Sequence, residues 1–173
     1  MCLRTRNDEH YQSKIIRKLS ALTIDIVPFE AQYAADFYAL NAAWLEKYFH
    51  VEPYDEKVLR NPKKYIIDEG GFIFFAKINS EIVGTVALIN QKTFFELSKM
   101  AVTPAYQGKK IGWKLMEHCL QFARSQHWET ITLYSNRSLA SAISLYKKIG
   151  FQEVALEKEV HYDRANIKMR LVL

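Results

Sequence analysis

Residues 96–112 read ELSKMAVTPAYQGKKIG, from Glu96 to Gly112. The stretch opens as an extended, largely apolar run, Leu97–Val102. It turns at Thr103-Pro104, because proline fixes φ and cannot donate to a strand ladder. A short polar loop, Ala105–Lys110, then leads into a helix opening at Ile111-Gly112. A strand feeding a glycine-bearing loop at a helix start makes an anion cradle. Glycine lets the backbone approach closely, the first helical N–H groups lack internal partners, and the helix dipole favours negative charge. A nucleotide pyrophosphate or a bare phosphate fits such a cradle. Gly-x-x-x-Gly alone at a helix start more often reflects packing and turn chemistry. GxxxxGK[ST] and GxGxxG are both absent, so the P-loop and dinucleotide readings lose their fingerprint.

Outward from this stretch the hydrophobic periods alternate between strand and helix. Toward the N-terminus, Leu22–Val27 alternates as a first strand that ends at Pro28. Glu30–Leu40 and Ala42–Phe49 read as two helices. A polar connection follows over His50–Asp55, with Pro53 inside it, then a helical turn over Asp55–Arg60. Phe72–Ile78 and Ile82–Ile89 form an antiparallel pair, joined by Asn79-Ser80-Glu81, short enough for a hairpin. Phe94–Val102 is the fourth strand. Toward the C-terminus, Ile111–Ser125 is the long helix and Thr130–Tyr134 a fifth strand. Ser138–Ile149 is helical and stops at Gly150, a left-handed cap. Phe151–Ala155 and Asn166–Leu171 close the chain as antiparallel strands. The order is β-α-α-β-β-β-α-β-α-β-β.

The 173 residues suit one domain with its own core, spanning 21–173 behind an extension, 1–20. Hydrophobic residues make up 49% and charged residues 25%, ordinary for a globular chain. No apolar run approaches the roughly 20 residues of a membrane helix, and the N-terminus lacks the order of a signal peptide. The expectation is a cytoplasmic protein that meets no membrane. Net charge is +5, but Met1–Ser20 carries most of it, through Arg4, Arg6, Lys14, Arg17 and Lys18 against Asp8 and Glu9. Such a tail is usually a solvated charge run, and a nucleic-acid partner would need a basic stripe on the folded body. Two cysteines are too few for a disulfide framework. Cys119 shares an apolar helix face with Ile111, Leu115 and Phe122 and reads as a small buried hydrophobe. The histidines are scattered, and no metal is expected.

Glu-Leu-x-x-Met-x-Val-x-Pro followed by Tyr-Gln-Gly-Lys-Lys-Ile-Gly resembles the core motif of the GNAT family of N-acetyltransferases. The family loop runs Gln/Arg-x-x-Gly-x-Gly/Ala, with Gln107 at its first position and Gly112 at its last. Lys110 stands where the family has glycine, a departure that concerns the tightness of the turn. A second match runs from Ala142 to Phe151, ASAISLYKKIGF with its leading residues, against Ala-x-x-Leu-Tyr-x-Lys-x-Gly-Phe. Asn136 lies six residues before Ala142 where the family asparagine stands three before. The element order matches the family from Leu22 onward. The resemblance implies a central, mixed and mostly antiparallel twisted sheet of about seven strands with about four flanking helices, in the α/β (α+β) class. Asn41, Trp44-Leu45, Tyr48-Phe49, Glu52, Asp55, Gly70-Gly71, Ser135-Asn136 and Arg164–Met169 are similar to one bacterial subgroup. Its domain often follows a MarR-type regulator; about twenty residues are too few for one, which implies the stand-alone form.

The resemblance further implies transfer of an acetyl group from acetyl-CoA to a primary amine of a small molecule or protein. Gln107, Gly108, Lys109, Lys110, Ile111 and Gly112 would grip the pyrophosphate. Met100, Ala101 and Val102 would pair with the pantetheine arm as with an added strand, and Asn136 would contact it. Asn136 equally suits a turn or cap, and Lys109 and Lys110 equally suit solvated surface. Tyr146 matches the general acid that assists the leaving thiolate; its alternative is core packing. Glu96 is offset like the family's base glutamate, with His50, Glu52 and Asp55 in reserve. Its alternative is a solvated edge residue or an ion-pair partner of Lys99 or Arg170. Trp44, Tyr48 and Glu52 would wall the acceptor cleft, beside Phe49 and Asp55; helix packing is the alternative for the aromatics. A non-catalytic acyl-CoA-binding module is the competing function, and the edge strands near the C-terminus suit a homodimer.

Overall fold

The computed structural model describes residues 23–158, 160 and 162–173. The basic extension and Leu22 lie outside these residues. The strands are β1 Ile24–Pro28, β2 Phe72–Ile78, β3 Glu81–Asn90, β4 Phe95–Val102, β5 Thr130–Ser135, β6 Gln152–Val154 and β7 Ile167–Val172. The α-helices among the described residues are α1 Ala34–Tyr48, α2 Pro53–Arg60, α3 Ile111–Ser125 and α4 Ala140–Ile149. One sheet runs in the order β1-β2-β3-β4-β5-β7-β6. All its pairs are antiparallel except β4 with β5. The architecture is the mixed, mostly antiparallel seven-stranded sheet expected from the sequence.

Helices cover both faces, so the central strands are buried on both sides and read as near-continuous apolar runs. Along β3, Val86 and Leu88 pack with α3 through Leu115, Met116 and Cys119. Their neighbours Ala87 and Ile89 pack on the other face with Phe37, Leu45, Val58 and Leu59 of α1 and α2. Cys119 is fully buried, and desolvation pushes its thiol up, as for a core residue. The hairpin between β2 and β3 is tighter than read. Ile78 pairs directly with Glu81, and Asn79 takes φ +56 in the two-residue turn, a conformation asparagine tolerates.

Two local readings are corrected, and one segment left unread takes a form of its own. The expected pair of helices before residue 50 is one helix, α1. Asn41 favours caps and turns in isolation, but here it is buried and its Nδ2 donates to the Phe37 carbonyl within the helix. Pro53 does not sit in a connection; it is the first residue of α2, where its missing N–H costs nothing. The segment after Asn61-Pro62 is a π-helical turn, Lys63–Ile67, whose Ile66 is wholly buried. Gly150 does end α4 at φ +112.

The long helix α3 lies close on the sheet at Gly84. A Cβ there would stand 3.2 Å from both Ile111 and Leu115. Gly84→Val should therefore lift the start of α3 from β3 and destabilise the fold by about 1–3 kcal/mol, as overpacking does. Urea denaturation would measure this; a midpoint unchanged from the parent would show that α3 has room to shift.

Candidate active site

Strands β4 and β5 pair at only two positions, Phe95 with Ile131 and Glu96 with Thr132. Beyond Glu96 they part, and among the described residues β4 from Leu97 onward has no strand on that side. On its other side, β4 pairs Ser98 with Ala87 and Ala101 with Thr85, so Lys99 and Met100 together oppose Val86. This is a β-bulge, which bends a strand and re-aims its side chains. Lys99 holds the left-handed conformation within it, φ +52. The parting opens a cleft of about 1000 Å³. Met100, Ala101 and Val102 line its middle, Gln107 to Gly112 without Lys109 one end, and Trp44, Tyr48 and Phe49 the other.

The cradle end is built mainly of backbone. Lys114 N–H to Lys110 O, at 3.0 Å, is the first bond of α3, so the N–H groups of Ile111, Gly112 and Trp113 point out of the helix end. Gly108 has φ +77, and Lys110 takes φ +61. The lysine thus adopts the left-handed geometry that glycine would adopt, at a cost of about 1–2 kcal/mol. No acidic residue lies in the first turn. The Gln107 side chain braces the loop by donating to the Val102 carbonyl at 3.1 Å. Lys109 does not line the cleft; its ammonium lies over the Tyr106 ring at 4.6 Å.

At the far end four charged side chains close on one another. Lys99 Nζ donates to Asp55 Oδ1 at 2.6 Å. Arg164 donates to Asp55 at 2.7 and 3.1 Å and to Glu52 at 2.8 Å. Glu52 and Asp55 also form the reciprocal capping box of α2, and Glu52 accepts the Asp163 N–H. The Lys99 ammonium sits 4.6 Å from the Tyr162 ring centroid and 5.7 Å from that of Tyr54. Burial alone would push the Asp55 carboxyl up, but the charges and hydrogen bonds of Lys99 and Arg164 hold it below its ordinary value. That makes Asp55 a poor proton acceptor. Glu52 faces Arg164 rather than the cleft, and His50 is exposed and outside it.

Tyr146, on α4, lines the cleft. It is 8% exposed, and burial pushes its phenol up to about 12. Glu96 is 2% exposed, which excludes the solvated-edge reading. Its carboxylate accepts from Gln91 Nε2 at 2.7 Å and does not line the cleft. Its expected ion-pair partner Lys99 is taken by Asp55. Asn136 lines the cleft with its amide engaged: Nδ2 donates to the Arg164 carbonyl at 2.6 Å and Oδ1 accepts the Ser138 N–H. One amide N–H remains for a ligand. Trp44 packs against Tyr48 and Phe49, with centroids 5.3 and 5.8 Å away. Sequence reasoning missed Lys99, Tyr162 and Arg164 as members of the site. A lysine inside a core strand must find a counter-charge, and the acidic Glu52-to-Asp55 connection was the available supply.

The Acetyltransferase (GNAT) family profile matches residues 34–151, more than half of the chain, and the chain belongs to that family. Among curated proteins, N-acetyltransferase 8 of Rattus norvegicus is 30% identical over 97 residues, which are 53% of this chain and 44% of that protein. The chain thus spans less than half the length of that relative. YvbK of Bacillus subtilis, an uncharacterized N-acetyltransferase, is 29% identical over 119 residues, 65% of this chain and 77% of that one. A GNAT-family acetyltransferase from Staphylococcus aureus Mu50 superposes with a TM-score of 0.76 at 24% identity, covering 86% of this chain and 98% of its own. The PaiA N-acetyltransferase of Thermoplasma acidophilum, solved in complex with coenzyme A, gives 0.69 at 19% identity, covering 87% and 99%. These two likenesses show a shared fold.

The charged cluster makes a stability prediction. Asp55→Asn leaves buried cations without their counter-charge and should destabilise by about 3–5 kcal/mol. Asp55 has a folded pKa below its unfolded one. Its stabilisation is therefore full above the ordinary carboxylate value of about 3.9 and is lost as pH falls through the lower folded value. Thermal melts of parent and variant should differ most near neutrality and converge in acid below about pH 4. A gap that stays constant into acid would mean that the Asp55 carboxylate is not its source.

Proposed function

We propose that this chain is an acetyl-CoA-dependent N-acetyltransferase that passes the acetyl group directly to a primary amine while both substrates are bound. One observation carries the reading. A single cleft joins an anion cradle at a helix start to an unpaired strand edge, a buried phenol and a polar, aromatic-walled far end. Acetyl-CoA has parts to match in that order. Its pyrophosphate meets the N–H groups of Gly108 to Gly112, with Lys110 adding charge. Its pantetheine amides meet the backbone of Met100–Val102, where β5 has turned away. The thioester then falls beside Tyr146. Asn136 contributes its remaining N–H, and Trp44, Tyr48 and Glu52 belong to the acceptor end, Glu52 by holding Arg164 in place.

The amine nitrogen attacks the thioester carbonyl, the C–S bond breaks, the sulfur receives a proton, and the amine loses one. A phenol raised to about 12 keeps its proton at neutral pH. It is a weaker acid than an ordinary thiol of about 8.5. Tyr146 therefore serves the developing thiolate as a hydrogen-bond donor, an interaction made mainly in the transition state. Glu96 accepts the amine's proton through water, because its carboxylate lies behind the cleft wall. Its electrostatic reach to Tyr54, Tyr134 and Tyr162 supports a place in that neighbourhood. A cytoplasmic setting belongs to the same proposal, as does membership of the subgroup associated with MarR-type regulators. The latter is supported by the convergence of Trp44, Glu52, Asp55, Lys99 and Arg164 on one site.

Tyr146→Phe tests the enzyme reading against a non-catalytic acyl-CoA-binding module. Calorimetry should show acetyl-CoA binding to parent and variant alike. Turnover should fall roughly ten- to a thousandfold with every acceptor, at or below the usual general-acid range because a thiolate already leaves well. Equal turnover in both would remove Tyr146 from the reaction, and absence of acetyl-CoA binding by the parent would remove the donor assignment.

Glu96→Gln keeps the shape and loses the proton acceptor. Its turnover near neutral pH should fall roughly 10²-fold or more while acetyl-CoA affinity stays close to the parent's. A rate–pH curve that overlays the parent's would assign the proton to another group.

A further inference from the structure

The charges at the acceptor end point to what the acceptor lacks. Among the described residues, the charged side chains lining the cleft are those of Asp55, Lys99, Lys110, Lys148 and Arg164. Lys110 stands at the start of α3 and Lys148 on α4, and the cations of the Asp55 cluster are Lys99 and Arg164. Both are committed. The Lys99 side chain is 4% exposed, its ammonium bound to Asp55 and near the rings of Tyr54 and Tyr162. The Arg164 guanidinium is spread over both Asp55 oxygens and Glu52. Two cations and two carboxylates cancel. A carboxylate on the incoming molecule would have to break a buried pair to find a partner.

Aromatic side chains are prominent in the rest of the lining, beside polar groups such as Asn41 and Ser98. Trp44, Tyr48 and Phe49 form one wall, and Tyr48 is 43% exposed, one of few large apolar side chains left so open among the described residues. Tyr134 and Tyr162 line the same cleft. The Tyr162 hydroxyl is buried, with the Ser98 side chain its near polar neighbour but no hydrogen bond of good geometry. A buried hydroxyl in that state gains from a polar group brought to it, and an amine nitrogen supplies one.

Resting on the acetyltransferase reading, we propose that the acceptor is an arylalkyl primary amine without a carboxylate. Its ring stacks among Trp44, Tyr48 and Phe49, and its nitrogen approaches the Tyr162 hydroxyl. The amine loses one proton and gains the acetyl group; the thiol of CoA is the other product.

The test uses the whole chain with acetyl-CoA and three probes: tryptamine, tryptophan and spermidine. Tryptophan differs from tryptamine by one carboxylate, and spermidine lacks the ring. Free-thiol release should give tryptamine a kcat/KM at least about tenfold above either. Trp44→Ala should raise the KM for tryptamine about tenfold and leave the KM for acetyl-CoA unchanged, since the truncation removes ring contact alone. A preference for tryptophan or spermidine overturns the acceptor class, as does acetyl-CoA binding with no turnover of tryptamine. Both of these leave the donor site standing. Failure of the chain to bind acetyl-CoA in calorimetry overturns the underlying reading instead.

Discussion

After two paired residues, β4 loses β5 as a neighbour, and this parting governs what the domain can hold. A strand inside a sheet normally satisfies its backbone on both edges. Here the edge from Leu97 to Val102 is left for something other than a strand. The bulge at Lys99 and Met100 keeps that edge bent, and α3 starts a few residues beyond its end. A backbone edge, a helix terminus and the cleft between them are thus consequences of one break in a parallel pair.

The fold was legible where local pattern and tertiary demand agree. The bounds of α3 follow from its apolar stripe, and the β2–β3 hairpin from two apolar runs flanking a short polar joint. Asn41 misled because its intrinsic preference for a helix boundary is a weak force beside burial of a helix face. The π turn after Pro62 carries no periodic signal. The anion cradle could be read from a contiguous stretch. The acceptor end could not, because its ion pairs join residues 44 and 109 positions apart. Glu52 looked like a residue facing a substrate; its partners Arg164 and the N–H groups of α2 and Asp163 explain why it faces inward. Tyr162 gave no signal of its own, being one tyrosine among ten.

The buried charges are an expensive way to build a wall. Well-packed apolar residues of similar volume are often as stable or more so. What the ions add is geometry. Asp55 ties the bulge of β4 and the Arg164 loop to the N-terminus of α2, three segments with no strand or helix in common. Asn136 fastens the same loop to the end of β5 through the Arg164 carbonyl. Directional bonds fix these positions in a way that apolar contacts, which tolerate sliding, do not.

The two halves of the cleft are written in different materials. On the acetyltransferase reading proposed above, the cradle and strand edge act through main-chain groups, which every residue but proline carries alike. The far end acts through side chains, each with its own shape and charge. On that reading, substitution at Met100 to Val102 leaves the hydrogen-bonding surface of the donor half largely intact, whereas one change at Trp44 or Arg164 redraws the acceptor half. A lineage can drift among acceptors without ever losing its donor, and an engineer can change one half while treating the other as fixed scaffold.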